Sequence, residues 1–129
     1  NGEFKGHVYE DAAEGLRRWY KAKFGLYAYS SGSVKSQKLL FSHSEAGDLT
    51  SLMSGYFDTT TGPKRDAESY RSIASAIGLP EDGILFLSDV AEELDAARKA
   101  GMRTIQLLRD DSVKVGNHDT AKSFETIFP

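Results

Sequence analysis

The chain has 129 residues, enough for one domain, and its 40% hydrophobic and 27% charged side chains argue against disorder and for a real core. It has no cysteine, which excludes disulfide frameworks, thiolate metal sites and cysteine nucleophiles, and fits a cytoplasmic enzyme. A net charge of −3, spread over mixed acidic and basic residues without a basic run or an apolar run of bilayer length, speaks against nucleic-acid and membrane partners.

The N-terminal Asn1-Gly2-Glu3-Phe4-Lys5-Gly6-His7 lacks an initiator methionine and the charged-then-apolar pattern of a signal peptide. It reads as an interior segment or a processed product. Residues 11–22 predict a helix with Ala13, Leu16, Trp19 and Tyr20 on one face. Phe24 to Tyr29 predicts an aromatic strand that stops at Ser30-Ser31-Gly32-Ser33, and Ser33 suits the N-cap of a helix from Val34 to Phe41. A polar connection over 43–55 leads to a short strand at Tyr56-Phe57-Asp58 and a turn over Thr59 to Pro63. Asp66 to Ile77 carries the clearest helical pattern, with Ala67, Tyr70, Ile73, Ala74 and Ile77 on one face. Gly78 fits its C′ position and Pro80 blocks continuation. Ile84 to Leu87 is a continuous apolar run of the kind buried on both faces of a parallel sheet. Asp89 then opens a helix through Arg98, closed by Gly101; Arg103 to Leu108 is a further strand, and residues 120–127 suggest a terminal helical turn. This order predicts an α/β fold, a mainly parallel sheet flanked by helices.

In such sheets ligands lie beyond the carboxyl ends of the strands. Three side-chain groups fall there. Ser30, Ser31 and Gly32 offer hydroxyls, close backbone approach and the N–H groups of a helix start, which suit phosphate; plain turn and capping chemistry accounts for them more simply. Asp89 could hold Mg²⁺ through a carboxylate oxygen, or it could be the N-cap of a capping box with Glu92. Lys64, in Gly62-Pro63-Lys64, could aim an ammonium at a phosphate or could be an ordinary surface lysine. Together, hydroxyl, lysine and carboxylate are what phosphoryl transfer through an aspartyl-phosphate requires. His7, His43 and His118 have no partners at metal-ligand spacing, and Ser30 lacks the Gly-x-Ser-x-Gly elbow of a serine nucleophile.

The order serine, lysine, aspartate resembles the second to fourth motifs of haloacid dehalogenase-like hydrolases; receiver domains use the same groups in another order. Within that superfamily, Tyr29-Ser-Ser-Gly-Ser-Val-Lys-Ser-Gln-Lys-Leu-Leu-Phe-Ser-His-Ser-Glu-Ala-Gly-Asp48 resembles the enolase-phosphatases, or acireductone synthases, of methionine salvage. So do Gly6-His-Val-Tyr-Glu10, Gly55-Tyr-Phe-Asp-Thr59, Lys64 with Glu68-Ser-Tyr70, Ile84-Leu-Phe-Leu-Ser-Asp-Val90 and Ser123-Phe124. The resemblance implies a haloacid dehalogenase-like core and a Mg²⁺-dependent enolase-phosphatase. Its substrate would be a small phosphorylated diketone, 2,3-diketo-5-methylthiopentyl-1-phosphate, converted to the acireductone. It also implies roles: Ser30, Ser31 and Lys64 for the substrate phosphate, Gly32 through its backbone, Lys64 for charge neutralisation, and Asp89 for Mg²⁺. No role attaches to Ser88, Glu92 or Glu93.

The family's Asp-x-Glu after a first strand, which carries the nucleophile and another metal ligand, has no counterpart here, nor does its cap domain. The resemblance thus implies that residues 1–129 are the C-terminal part of the core domain. Such a fragment is expected to be inactive alone and either to self-associate or to retain its N-terminal piece. A non-catalytic phosphate- or protein-binding module of the same fold is the competing reading.

Overall fold

The computed structural model describes residues 10–29, 34–42, 49–108, 113–122, 124 and 127. They divide into two compact units, Asn1–Thr59 and Thr60–Pro129. Strands and helices alternate up to the last two strands, which follow one another, and every strand pairing among the described residues is parallel, the α/β order expected from the sequence.

The first unit holds α1 (Glu10–Lys21), β1 (Tyr27–Tyr29), α2 (Val34–Ser42) and β2 (Gly55–Phe57). Helix α1 buries Ala13 and Trp19 but leaves Tyr20 half exposed, so the buried face is narrower than the sequence pattern suggests. The strand after it is also shorter than predicted. Residues 22–24 are spent closing the helix: Ala22 N–H donates to Arg18 O, Lys23 N–H to Tyr20 O and Phe24 N–H to Trp19 O. Phe24 therefore lies outside β1 and is exposed. β1 pairs with β2 in the register Ala28↔Tyr56, with α2 as the crossover between them. The buried Gln37 on α2 donates through Nε2 to Phe57 O at 2.8 Å, and Asp58, which follows β2, accepts from Val34 N–H at 3.3 Å. The amide nitrogen of Gln37 that the crossover buries is thereby matched, which offsets the cost of taking it out of water.

The second unit holds α3 (Ala67–Ile77), β3 (Leu85–Ser88), α4 (Ala91–Ala100), β4 (Arg103–Leu107) and β5 (Asp119–Ala121). Helix α3 begins and ends where the sequence says it should. The Asp66 side chain accepts from Glu68 N–H, and Gly78 takes the left-handed conformation at φ 86°, with its N–H on Ala74 O. Ala67, Tyr70, Ile73 and Ala74 form its buried face. Helix α4 carries Glu92 and Glu93 in its first turn and Arg98 and Lys99 in its last, the arrangement that complements the helix dipole, and Gly101 closes it at φ 107°. Strand β4 is central, paired to β3 on one side and β5 on the other.

Two expectations are corrected in this unit. The 84–87 run is not buried on both faces: all of β3 is of intermediate exposure. Its only ladder partner among the described residues is β4, so the opposite edge lacks the neighbour that would bury it. Residues 119–121 are a strand, where a terminal helical turn is expected from the sequence. Asp119 and Thr120 are exposed and carry no apolar period, so the register Gln106↔Thr120 with β4 decides their conformation. A turn does follow, with Ile127 N–H on Phe124 O and both side chains buried.

Candidate functional site

Within the second unit, chemistry-bearing side chains gather at the carboxyl end of β3. Ser88 ends the strand, Asp89 and Val90 form the link, and α4 starts at Ala91. The N-cap position is Val90, without a side-chain hydrogen bond, and the Val90 N–H goes instead to the Ser88 hydroxyl at 3.0 Å. Asp89 therefore does no capping. Its side chain is exposed and makes no hydrogen bond or ion pair among the described residues. An unspent carboxylate at a strand end is what one oxygen ligand of a Mg²⁺ ion needs, since that ion keeps several waters and takes one or two protein carboxylates. Asp89 fits such an ion as one ligand of several. Among the described residues no group of three or more acidic or histidine side chains could enclose a metal.

Lys64 arrives at the same strand end. Its ammonium lies 3.0 Å from Glu93 Oε1, with the two side chains 25% and 12% exposed. The same carboxylate oxygen accepts from the Ser88 hydroxyl at 3.2 Å. A chain of polar contacts thus runs from Val90 N–H through Ser88 and Glu93 to the lysine. Neither end of Lys64 is left to wander, because α3 holds the backbone of its loop. The Tyr70 hydroxyl donates to Lys64 O at 2.5 Å and the Ser69 hydroxyl to Pro63 O at 2.6 Å. Tyr70 is itself fully buried, with its ring edge-on to Phe86 of β3 at 5.0 Å between centroids. Gly62, at φ 146°, sits against Ser69 so closely that a Cβ there would collide with its hydroxyl.

Lys64 and Asp89 are therefore both at the end of β3, one through Glu93 and the other by chain position. Ser30, Ser31 and Gly32, with the Ser33 cap, lie outside the described residues, as do His7 and His43. His118 is already engaged: Nδ1 bonds to Thr104 Oγ1 at 2.8 Å and Nε2 to Asp95 Oδ1 at 2.7 Å. An open cavity of about 650 Å³ lies beside it, lined by Leu85, Arg103 and Thr104 at the starts of β3 and β4, and so belongs to the other end of these strands. Glu93 is the residue that sequence reasoning passed over. Its signal was its place one turn into the helix after Asp89, facing back to the strand end.

No protein-family model matches the chain. Curated relatives do. A protein named enolase-phosphatase E1 from Pseudomonas savastanoi pv. phaseolicola is 58% identical over 128 residues, 99% of this chain and 56% of that protein. One from Erwinia tasmaniensis is 54% identical over 127 residues, 98% of this chain and 56% of the relative. The chain thus spans about half the length of the curated relatives it matches. Among solved structures, the UTR4 protein of Saccharomyces cerevisiae superposes with a TM-score of 0.87 at 39% identity, over 98% of this chain and 59% of that one. The L-2-haloacid dehalogenase of Xanthobacter autotrophicus superposes at 0.69 with 19% identity, covering 82% of this chain and 42% of that one, a likeness of fold alone. The fold is haloacid dehalogenase-like, and the match to enolase-phosphatases runs along nearly the whole chain.

Proposed function

We infer that this chain is part of the core domain of a Mg²⁺-dependent phosphatase of the enolase-phosphatase type, acting in the cytoplasm on the phosphorylated diketone of methionine salvage. The observation that carries the reading is the end of β3, where Asp89 offers an uncommitted carboxylate while Lys64 is tied into place by Glu93. Sequence likeness to proteins named enolase-phosphatase E1 supports the substrate class. In this reading Lys64 presents its ammonium to the substrate phosphate and balances charge beside it. Ser30 and Ser31 donate hydroxyl hydrogen bonds to phosphate oxygens, and Gly32 lets its backbone approach. Asp89 contributes one oxygen ligand to Mg²⁺, which when bound neutralises charge on the phosphoryl group. Glu93 keeps the lysine aimed. The attacking carboxylate would come from an Asp-x-Glu that follows an apolar strand, whereas Asp66-Ala67-Glu68 of this chain opens α3, so the isolated chain binds phosphate at most and does not split the ester.

Phosphate release from the diketone phosphate, measured on a full-length protein containing this chain, tests the reading. Asp89→Asn is expected to remove most of the activity and to raise the Mg²⁺ requirement, and Lys64→Ala to abolish turnover. Unchanged rates in both would sink the assignment. Mg²⁺-dependent phosphate release by the pure 129-residue chain would overturn its expected inactivity.

A further inference from the structure

Gln106 is a polar side chain in the middle of the sheet with 0% exposure, and every group it presents to the protein is used. It stands opposite Ser88 in the β3–β4 ladder. Its two amide hydrogens go to Asp89 O at 3.1 Å and to Lys114 O at 2.8 Å. Its Oε1 accepts from Gly116 N–H at 2.9 Å. These three partners determine which end of the amide is nitrogen, since two are carbonyls and one is an N–H. Burying an amide in a strand costs free energy unless it is matched, and a Leu or Val would fill this place more cheaply. The amide joins two things that no ladder joins: the main chain of Asp89 and the 114–116 segment before β5. That segment is pressed against the same site from outside, for a Cβ on Gly116 would come within 2.7 Å of the Cβ of Ala91, the first residue of α4.

We propose that Gln106 is a positioning residue for Asp89: with the 114–116 segment as its second support, it sets the backbone of the strand end and so the direction of the carboxylate. The proposal rests on the reading of Asp89 as a Mg²⁺ ligand. Ser88 is tethered by its hydroxyl to Val90 N–H and Glu93. Asp89 has no side-chain anchor among the described residues; the peptide unit that follows it is held at its carbonyl by Gln106 and at Val90 N–H by Ser88. A carboxylate whose backbone is held in advance loses less freedom when it takes up an ion.

The test uses the full-length protein containing this chain, as Gln106→Leu, Gly116→Ala and the control Asp89→Asn. Two quantities are read: the Mg²⁺ concentration for half-maximal activity against the substrate KM, and amide hydrogen exchange of residues 88–91 in metal-free protein. Gln106→Leu is expected to raise the Mg²⁺ midpoint about tenfold with KM within about twofold, and to speed exchange at 88–91 about tenfold. Gly116→Ala leaves the amide in place and shifts both readouts in the same direction by less; it decides the matter if Gln106→Leu does not fold. A folded variant with faster exchange but an unmoved Mg²⁺ midpoint, while Asp89→Asn removes the Mg²⁺ response, reduces Gln106 to a structural tie and overturns the proposal. Unchanged exchange at 88–91 overturns it as well. A Mg²⁺ response untouched by Asp89→Asn instead removes the metal reading of Asp89, and the proposal falls with it.

Discussion

Glu93 uses a single carboxylate oxygen for two contacts, the Lys64 ammonium and the Ser88 hydroxyl. Both members of the ion pair are mostly covered, so the pair belongs between the exposed class, worth about 0–1 kcal/mol, and the fully buried class, where losing one partner costs about 3–5 kcal/mol. A double-mutant cycle of Lys64→Gln and Glu93→Gln in urea unfolding is expected to give a coupling of about 1–2 kcal/mol. A coupling near zero would return the pair to the surface class. Asp89 behaves in the opposite way, because its carboxylate makes no bond within the described chain. In metal-free buffer Asp89→Ala should change stability by no more than about 0.5 kcal/mol. A loss of about 1 kcal/mol or more would mean that Asp89 caps α4 after all.

At the scale of elements, α3 acts as a clamp on the loop that carries Lys64. Its N-terminal turn is anchored by Asp66, and its first two turns supply Ser69 and Tyr70, whose hydroxyls hold Pro63 O and Lys64 O. The loop can lie this close because Gly62 has no Cβ and adopts a positive φ. Gly62→Ala meets both obstacles at once, the left-handed backbone and the Ser69 hydroxyl, and is expected to destabilise the fold by more than about 1 kcal/mol. Because the clamp sets the lysine, the same substitution should lower phosphatase activity in a full-length protein more than it lowers the folded fraction. Activity that merely tracks the folded fraction would show that the loop has slack. Tyr70→Phe, which deletes one hydroxyl from a packed ring, should cost about 1 kcal/mol by thermal unfolding.

At the scale of the whole molecule, the five strands among the described residues form one sheet of two and one of three, and β1 and β3 each have a single ladder partner there. Each therefore has an edge of N–H and C=O groups that no described strand satisfies. Unmatched groups cost about 1–3 kcal/mol each where they are kept from water, and a small domain is stable by only about 5–15 kcal/mol. Open strand edges also template pairing with other chains. The isolated 129-residue chain is accordingly expected to self-associate, or to bind the rest of its parent when the two are mixed. Sedimentation of a lone monomer at all concentrations, with protected amides on neither β1 nor β3, would defeat this expectation.

What was legible in the sequence is what short stretches settle among themselves. The ends of α3 and α4 follow from Asp66, Gly78 and Gly101, whose capping and left-handed geometry involve neighbours within a turn, and the alternation of helix and strand follows from local periodicity. The positions of Asp89, after the apolar run 84–87, and of Lys64, in the turn that Gly62-Pro63 opens, were legible for the same reason. The tertiary structure decided the rest. Asp89 had two local readings of equal standing, and the structure removes the capping one, with the Val90 N–H taken by the Ser88 hydroxyl. The partner of Lys64 lies beyond two intervening elements, α3 and β3, out of reach of any periodic signal. β5 exists because β4 offers it a ladder, and Gln106 is buried because carbonyls at Asp89 and Lys114 and an amide at Gly116 converge on it. Hydrogen bonds and ion pairs between distant segments form only once packing has brought their groups within about 3 Å, a distance that residue order alone does not encode.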